Sequence, residues 1–194
     1  SEELVKLDDF AGSIVVLDFF AYWCVPCRKV SSDLEEYVQK FYTAKGGNAA
    51  GFPVQVVSMN IEQGRAAKTR EYIKQTGVNL VLDDVGGKVY QSLNGRGIPY
   101  VVVLTETAGG SHWEISYSHA GYEGYEKVRE VIDSIRPDDP QAIRPLDKPT
   151  PDVAIPSAHG LEIGTDGLWS NDIFLPGSTA THVFTRGVTA FRTS

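Results

Sequence analysis

An apolar run begins at Ile14 and continues to Ala21, broken by one ionisable residue, Asp18. It is rich in β-branched side chains, the pattern of a strand buried on both faces. After position 24 the period changes. Val30, Leu34, Val38 and Phe41 recur at the spacing of one helix face, predicting a helix to about residue 43. A Gly-rich loop over 45–51 separates this helix from a second buried strand over 54–59. A polar helix is expected over about 63–75, with Ala67, Tyr72 and Ile73 turned inward. Residues 78–82 read as a short extended piece, Asp83-Asp84 as a turn, and 87–93 as a short helix closed by Asn94-Gly95. A third core strand covers 101–104, and Gly109-Gly110 marks a hairpin turn. Residues 112–118 then alternate, with Trp113, Ile115 and Tyr117 on one face of an antiparallel edge strand. Tyr125, Val128, Val131, Ile132 and Ile135 form the stripe of a last helix. Residues 3–10, with Leu4, Leu7 and Phe10 among acids, read as a short helix or an edge strand. The order βαβαββα predicts an α/β fold, a central mixed sheet with helices on both faces.

This pattern stops near Arg136. Six of the ten prolines lie between Pro137 and Pro156, so 137–160 reads as a semi-extended, Pro-rich linker. Residues 161–194 return to Gly, Thr and aromatic content without helical periodicity, with one or two strands expected over 183–192. The chain is therefore divided into a folded unit over 1–136, the linker, and a C-terminal extension of irregular or β character. About 35 residues are too few for an independent core without disulfides or metal.

The chemistry sits at the first junction. Trp23-Cys24-Val25-Pro26-Cys27 falls where the buried strand ends and the first long helix begins. Helix N-termini offer unpaired N–H groups and a positive dipole end, which favour a thiolate over a thiol. Pro26 suits the first helical turn, where a missing N–H costs little. Val25 brings no side-chain donor to the sulfur. Asp18, within the buried strand, is either a strand-end carboxylate reaching solvent or a buried carboxyl with a raised pKa.

Composition narrows the surroundings. Apolar residues make up 42% of the 194, enough for a core, and the net charge of −7 argues against nucleic acid or an anionic membrane as partner. No apolar stretch approaches the ~20 residues of a spanning helix. The acidic start, Ser1-Glu2-Glu3, is not a signal peptide, and a signal or anchor could have been trimmed from it. Both cysteines lie in the motif, so neither is left to report the redox compartment. The four histidines, at 112, 119, 159 and 182, show no ligand spacing, and no metal site is expected.

The segment from Asp18 to Cys27, together with Ile98-Pro99 far downstream, resembles the active-site signature of the thioredoxin superfamily over roughly residues 4–136. The unit between the second strand and Ile98-Pro99 is similar to the insert of the TlpA/ResA-type thioredoxin-like reductases. The resemblance implies a thioredoxin-like fold and protein thiol–disulfide exchange, with Cys24 as nucleophile, Cys27 resolving and Asp18 exchanging protons with Cys27. It implies that Trp23 faces the substrate, and that a cis Ile98-Pro99 bond aims the Ile98 backbone at the disulfide. The bond would otherwise be expected trans, since cis X-Pro bonds are only about 5–6% of those in folded proteins. Val25 and Pro26 would tune the potential. A disulfide-containing client and a thiol electron-donor protein are the implied partners, for instance with apocytochrome thiols as client. No bound cofactor is implied, and the setting is extracytoplasmic. Asp18 departs from the TlpA/ResA pattern, many members of which lack it. A disulfide oxidase or isomerase with the same atoms remains open, as does a binding module working through the C-terminal extension.

Overall fold

The computed structural model describes residues 5–107 and 112–136, together with the backbone of Ile173 and Phe174. The expected hairpin turn at Gly109-Gly110, the 137–160 linker and the strands expected over 183–192 lie outside the described residues. The chain opens with a 3-10 turn, Leu7–Phe10, followed by β1, Ile14–Phe20. A helix starts as α1, Val25–Leu34, passes through a π-helical turn, Glu35–Gln39, and continues as α2, Lys40–Lys45. Then come β2 (Val54–Asn60), α3 (Ala66–Thr76), β3 (Val81–Asp83), α4 (Lys88–Ser92), β4 (Tyr100–Glu106), β5 (Trp113–Ala120) and α5 (Tyr125–Ser134). A two-residue strand, β6 (Ile173–Phe174), runs parallel to the start of β5.

The sheet order is β3-β2-β1-β4-β5-β6. β1, β2 and β3 are parallel, whereas β4 lies antiparallel to both β1 and β5. This is a mixed thioredoxin-like sheet flanked by helices. Every residue of β1 is buried, as its unbroken apolar pattern requires, because both of its faces are covered. One face packs Val15, Leu17, Phe19, Val57, Met59, Val102 and Leu104 under the N-terminal 3-10 turn and α4. The other packs Ile14, Val16, Val56, Val101 and Val103 under α1, α2 and α5. Among the described residues no helix is long and apolar enough to cross a membrane.

Three expectations are corrected. Val30, Leu34 and Val38 face the sheet, but the next inward residue is Tyr42, at 1% exposure, with Phe41 only partly buried. The π turn supplies the reason. One extra residue in the helix rotates everything after it by about 100°, so the inward stripe steps to 42 instead of 41. Ala67 is exposed, and α3 turns Thr69, Tyr72 and Thr76 inward. Buried threonines are acceptable there because Thr76 and Thr69 donate to the carbonyls of Tyr72 (2.9 Å) and Arg65 (3.4 Å) one turn earlier. Finally, Trp113 and Ile115 share a face but Tyr117 does not. The register shifts between Val103↔Tyr117 and Leu104↔Ile115, a β-bulge that sends Tyr117 to the α5 side of the sheet.

Candidate active site

Cys24 is the N-cap of α1, with Val25 and Pro26 as the first two helical residues. The Cys27 N–H donates to Cys24 Sγ at 3.3 Å, so a helix N-terminal donor that would otherwise be orphaned is directed at this sulfur. Cys24 and Cys27 are joined as a disulfide, with Cα atoms 5.3 Å apart. The sulfurs differ little in exposure, 3% for Cys24 and none for Cys27. What separates them chemically is that hydrogen bond and their order along the helix.

Two large apolar side chains next to the cysteines in the chain are exposed. Val25 is 71% exposed and Trp23 is 56% exposed, while the Trp23 indole N–H donates to Glu62 Oε2 at 3.4 Å. Arg28 ties this turn to α3, donating to the Tyr22 carbonyl at 2.9 Å and to Gln75 Oε1 at 3.1 Å. Between the turn and α3 lies a groove of about 240 Å³ lined by Tyr22, Trp23, Arg28, Lys68, Glu71 and Tyr72.

The Ile98–Pro99 peptide bond is cis. The β1–β4 pairing Phe19↔Tyr100 sets Pro99 across from Phe20, at the end of β1 that leads into the cysteines. Pro99 is buried, and its carbonyl accepts from Gly121 N–H at 2.8 Å. Ile98 packs against the cluster that contains Cys24, Cys27, Phe20 and Tyr72. Thus the chain segments farthest apart in the motif, 23–27 and 98–99, meet at the end of the central strands β1 and β4.

Asp18 is fully buried, on the face of β1 beneath α1. Its Oδ2 accepts from Ser31 Oγ at 2.5 Å, and Ser31 Oγ lies 2.7 Å from Tyr72 Oη. Ser31 is four residues after Cys27 on the buried face of α1, so the carboxyl lies about one helical turn, ~6 Å, along α1 from the Cys27 position. Among the described residues Asp18 Oδ1 and Ser58 Oγ have no hydrogen-bond partner, although the β1–β2 register sets these residues opposite each other. Burial pushes the Asp18 carboxyl up to about 7, with the Ser31 hydroxyl bonded to it pulling it partly back. Burial, and then the nearby Asp18, push the Tyr72 phenol far above its ordinary value, so it stays a donor. The reading of Asp18 as a solvent-reaching strand end is therefore set aside. Among the described residues no group of three or more His, Cys, Asp or Glu is arranged to hold a metal ion.

A family model described as thioredoxin-like matches residues 12–109, which is 98 of the 194 positions. The chain belongs to the thioredoxin-like family. It is similar to the thiol-disulfide oxidoreductase ResA of Bacillus thuringiensis subsp. konkukian, 26% identical over 134 residues and 69% of each chain. Among solved structures, this thioredoxin-like chain is similar to one from Chlorobium tepidum described as a thiol:disulfide interchange protein DsbE. That match has 27% identity and a TM-score of 0.53, covering 67% of this chain and 84% of the other. It is also similar to a DsbF homologue from Corynebacterium diphtheriae, with 25% identity and a TM-score of 0.50, covering 68% and 77%.

Beyond the signature residues, the thioredoxin-like site contains three side chains that sequence reasoning did not single out for chemistry. Arg28 follows the motif directly, but nothing local shows that it reaches Tyr22 and α3. Tyr72 is legible in the sequence only as an inward position of its helix. Ser31 carried a usable signal: a hydroxyl four residues after Cys27 on a stripe otherwise built of Val30 and Leu34 needs a buried partner.

Proposed function

We propose that this chain is a thiol–disulfide oxidoreductase that reduces disulfides in client proteins through Cys24 and Cys27. The observation that carries this reading is the helix-capping Cys24 sulfur held by the Cys27 N–H, in a chain of the thioredoxin-like family. In the reduced form, the Cys24 thiolate attacks one sulfur of the client disulfide. A Cys24–client bond forms, the client S–S bond breaks, and the other client sulfur leaves as a thiolate. Asp18 takes the proton from the Cys27 thiol, across a water, given the span of about one helical turn between them. The Cys27 thiolate then attacks Cys24, closing the intramolecular disulfide and releasing the second client thiolate. The two electrons gained by the client come from the dithiol, and a thiol-donor protein restores it.

Trp23, Ile98 and Pro99 are the client-facing groups in this reading. An extended client segment would lie along the Ile98 backbone, beside the exposed Trp23 ring. Val25 and Pro26 set the potential through what they withhold, since neither adds a side-chain donor to Cys24. Similarity to ResA-type and DsbE-type proteins supports a working place outside the cytoplasm. The test is catalysed reduction of a protein disulfide such as that of insulin, with a thiol reagent as donor. The full chain is expected to turn over, and the Cys24→Ser/Cys27→Ser double variant to fall to the uncatalysed rate. A double variant that still supports the full physiological phenotype would make the chain a binding module instead.

A further inference from the structure

Resting on Asp18 as the proton acceptor for Cys27, we propose that Ser31 and Tyr72 are positioning residues that hold one oxygen of the Asp18 carboxylate and leave the other to take the proton. The direction of the hydrogen bonds decides this. A serine hydroxyl has one proton, and that of Ser31 is spent on Asp18 Oδ2 at 2.5 Å. The 2.7 Å contact between Ser31 Oγ and Tyr72 Oη must then have the phenol as donor. The chain runs Tyr72 O–H to Ser31 O–H to Asp18 Oδ2, each donor pointing toward the carboxylate, and such donors favour the ionised form. Without them, a carboxyl at zero exposure would have little to offset its desolvation.

The two oxygens are thereby made unequal. Oδ2 is saturated by the hydroxyl chain, whereas Oδ1 is a buried acceptor with no partner among the described residues. Of the two oxygens, Oδ1 is the one the hydroxyl chain leaves open to a proton. Once protonated, Oδ1 becomes a donor with the Ser58 hydroxyl opposite it in the register, itself without a partner among the described residues. The Ser58 hydroxyl can donate to Oδ1 while the carboxylate is ionised and accept from it once it is protonated, so uptake of the Cys27 proton leaves the Tyr72–Ser31 chain unturned.

Rigidity comes from the surroundings of Tyr72. Its ring stacks on Phe20 at 4.2 Å and 12°, and the Arg28 guanidinium lies 5.8 Å from the ring centroid. The groups that face Asp18 are Ser31 from α1, Ser58 from β2, Val101 from β4 and, through Ser31, Tyr72 from α3, with Arg28 beyond that ring. The outer donor of the chain, Tyr72, thus lies on α3, the same helix that lines the groove beside Trp23.

The test follows two titrations in the full chain. One is the Asp18 carboxyl itself, by 13C NMR of the oxidised form, assigned with Asp18→Asn. The other is the pH profile of single-turnover reduction of insulin by the dithiol form. Ser31→Ala is expected to move the carboxyl titration and the kinetic inflection upward together by about one pH unit or more, the loss of a charge-assisted bond. Tyr72→Phe, which keeps the ring stacked, is expected to move both in the same direction by less, and Ser31→Thr to restore both. In an Asp18→Asn background, Ser31→Ala is expected to change nothing further. An unmoved carboxyl titration in Ser31→Ala overturns the proposal. If the carboxyl moves but Asp18→Asn leaves the kinetic inflection in place, the failure lies with Asp18 as the acceptor, and the positioning role falls with it.

Discussion

A Cys27→Ser variant, reduced and mixed with a protein disulfide, is expected to stop at a covalent adduct through Cys24. The adduct should be visible on a non-reducing gel and dispersed by added thiol, while multiple turnover falls to background. Cys24→Ser is expected to form no such adduct and also to lose turnover. The asymmetry follows from the start of α1. Cys24 caps the helix and receives the Cys27 N–H at 3.3 Å, so negative charge is stabilised on this sulfur. Cys27 lies a turn into the helix, within reach of Cys24, and among the described residues its sulfur receives no such N–H. An adduct on Cys27 in the Cys24→Ser variant, or full turnover by Cys27→Ser, would reverse the assignment of roles.

The second large effect concerns stability. In the folded chain the Asp18 carboxyl is raised from 3.8 to about 7 by burial. Between those values the native state holds a proton that the unfolded state has released, so stability must fall as pH rises across this window. The contribution of Asp18 is fully present only below the unfolded value of 3.8 and is lost progressively as pH rises to about 7, a change of roughly 4 kcal/mol for a shift of about three units. Asp18→Asn removes the titration while preserving size. The oxidised variant is therefore expected to match the parent chain below pH 3.8 and to exceed it by up to about 4 kcal/mol at pH 8 in urea unfolding. Glu35, Asp83 and Asp84 are also raised by burial, but they are common to both proteins and cancel in the difference. A variant less stable than the parent at pH 8 would mean that ionised Asp18 is favoured in the fold, against the account given. The same carboxylate is thus a cost to the fold at the pH where the proposed mechanism needs it as a base.

Much of this was legible in the chain, and the exceptions have specific causes. The strand at Ile14 announces itself because burial on both faces leaves an unbroken apolar run, and the cysteines follow where that run ends. The cis bond at Ile98–Pro99 was legible only through the family signature, since the dipeptide alone favours trans. Hydrophobic periodicity misplaced Phe41 because it assumes a constant helical step, and the π turn at Glu35–Gln39 adds a residue. It missed the inward face of α3 because Thr69 and Thr76 are polar by type yet satisfied by carbonyls of their own helix. It missed Ser31 and Tyr72 as partners of Asp18 because that contact joins α1, α3 and β1, positions 13 and 41 residues apart from Ser31 in the chain. Pairing strands by simple alternation failed at Tyr117 for a similar reason, since a bulge is a property of two strands read together.

The equilibrium reduction potential of the Cys24–Cys27 pair tests the central claim most directly. It is read by trapping thiols after equilibration in a series of defined thiol/disulfide buffers. The account predicts a value toward the reducing end, near about −270 mV, where a dithiol gives up electrons to client disulfides. A value near about −120 mV would contradict it, because a pair so strongly held in the dithiol form makes disulfides in its clients instead of breaking them.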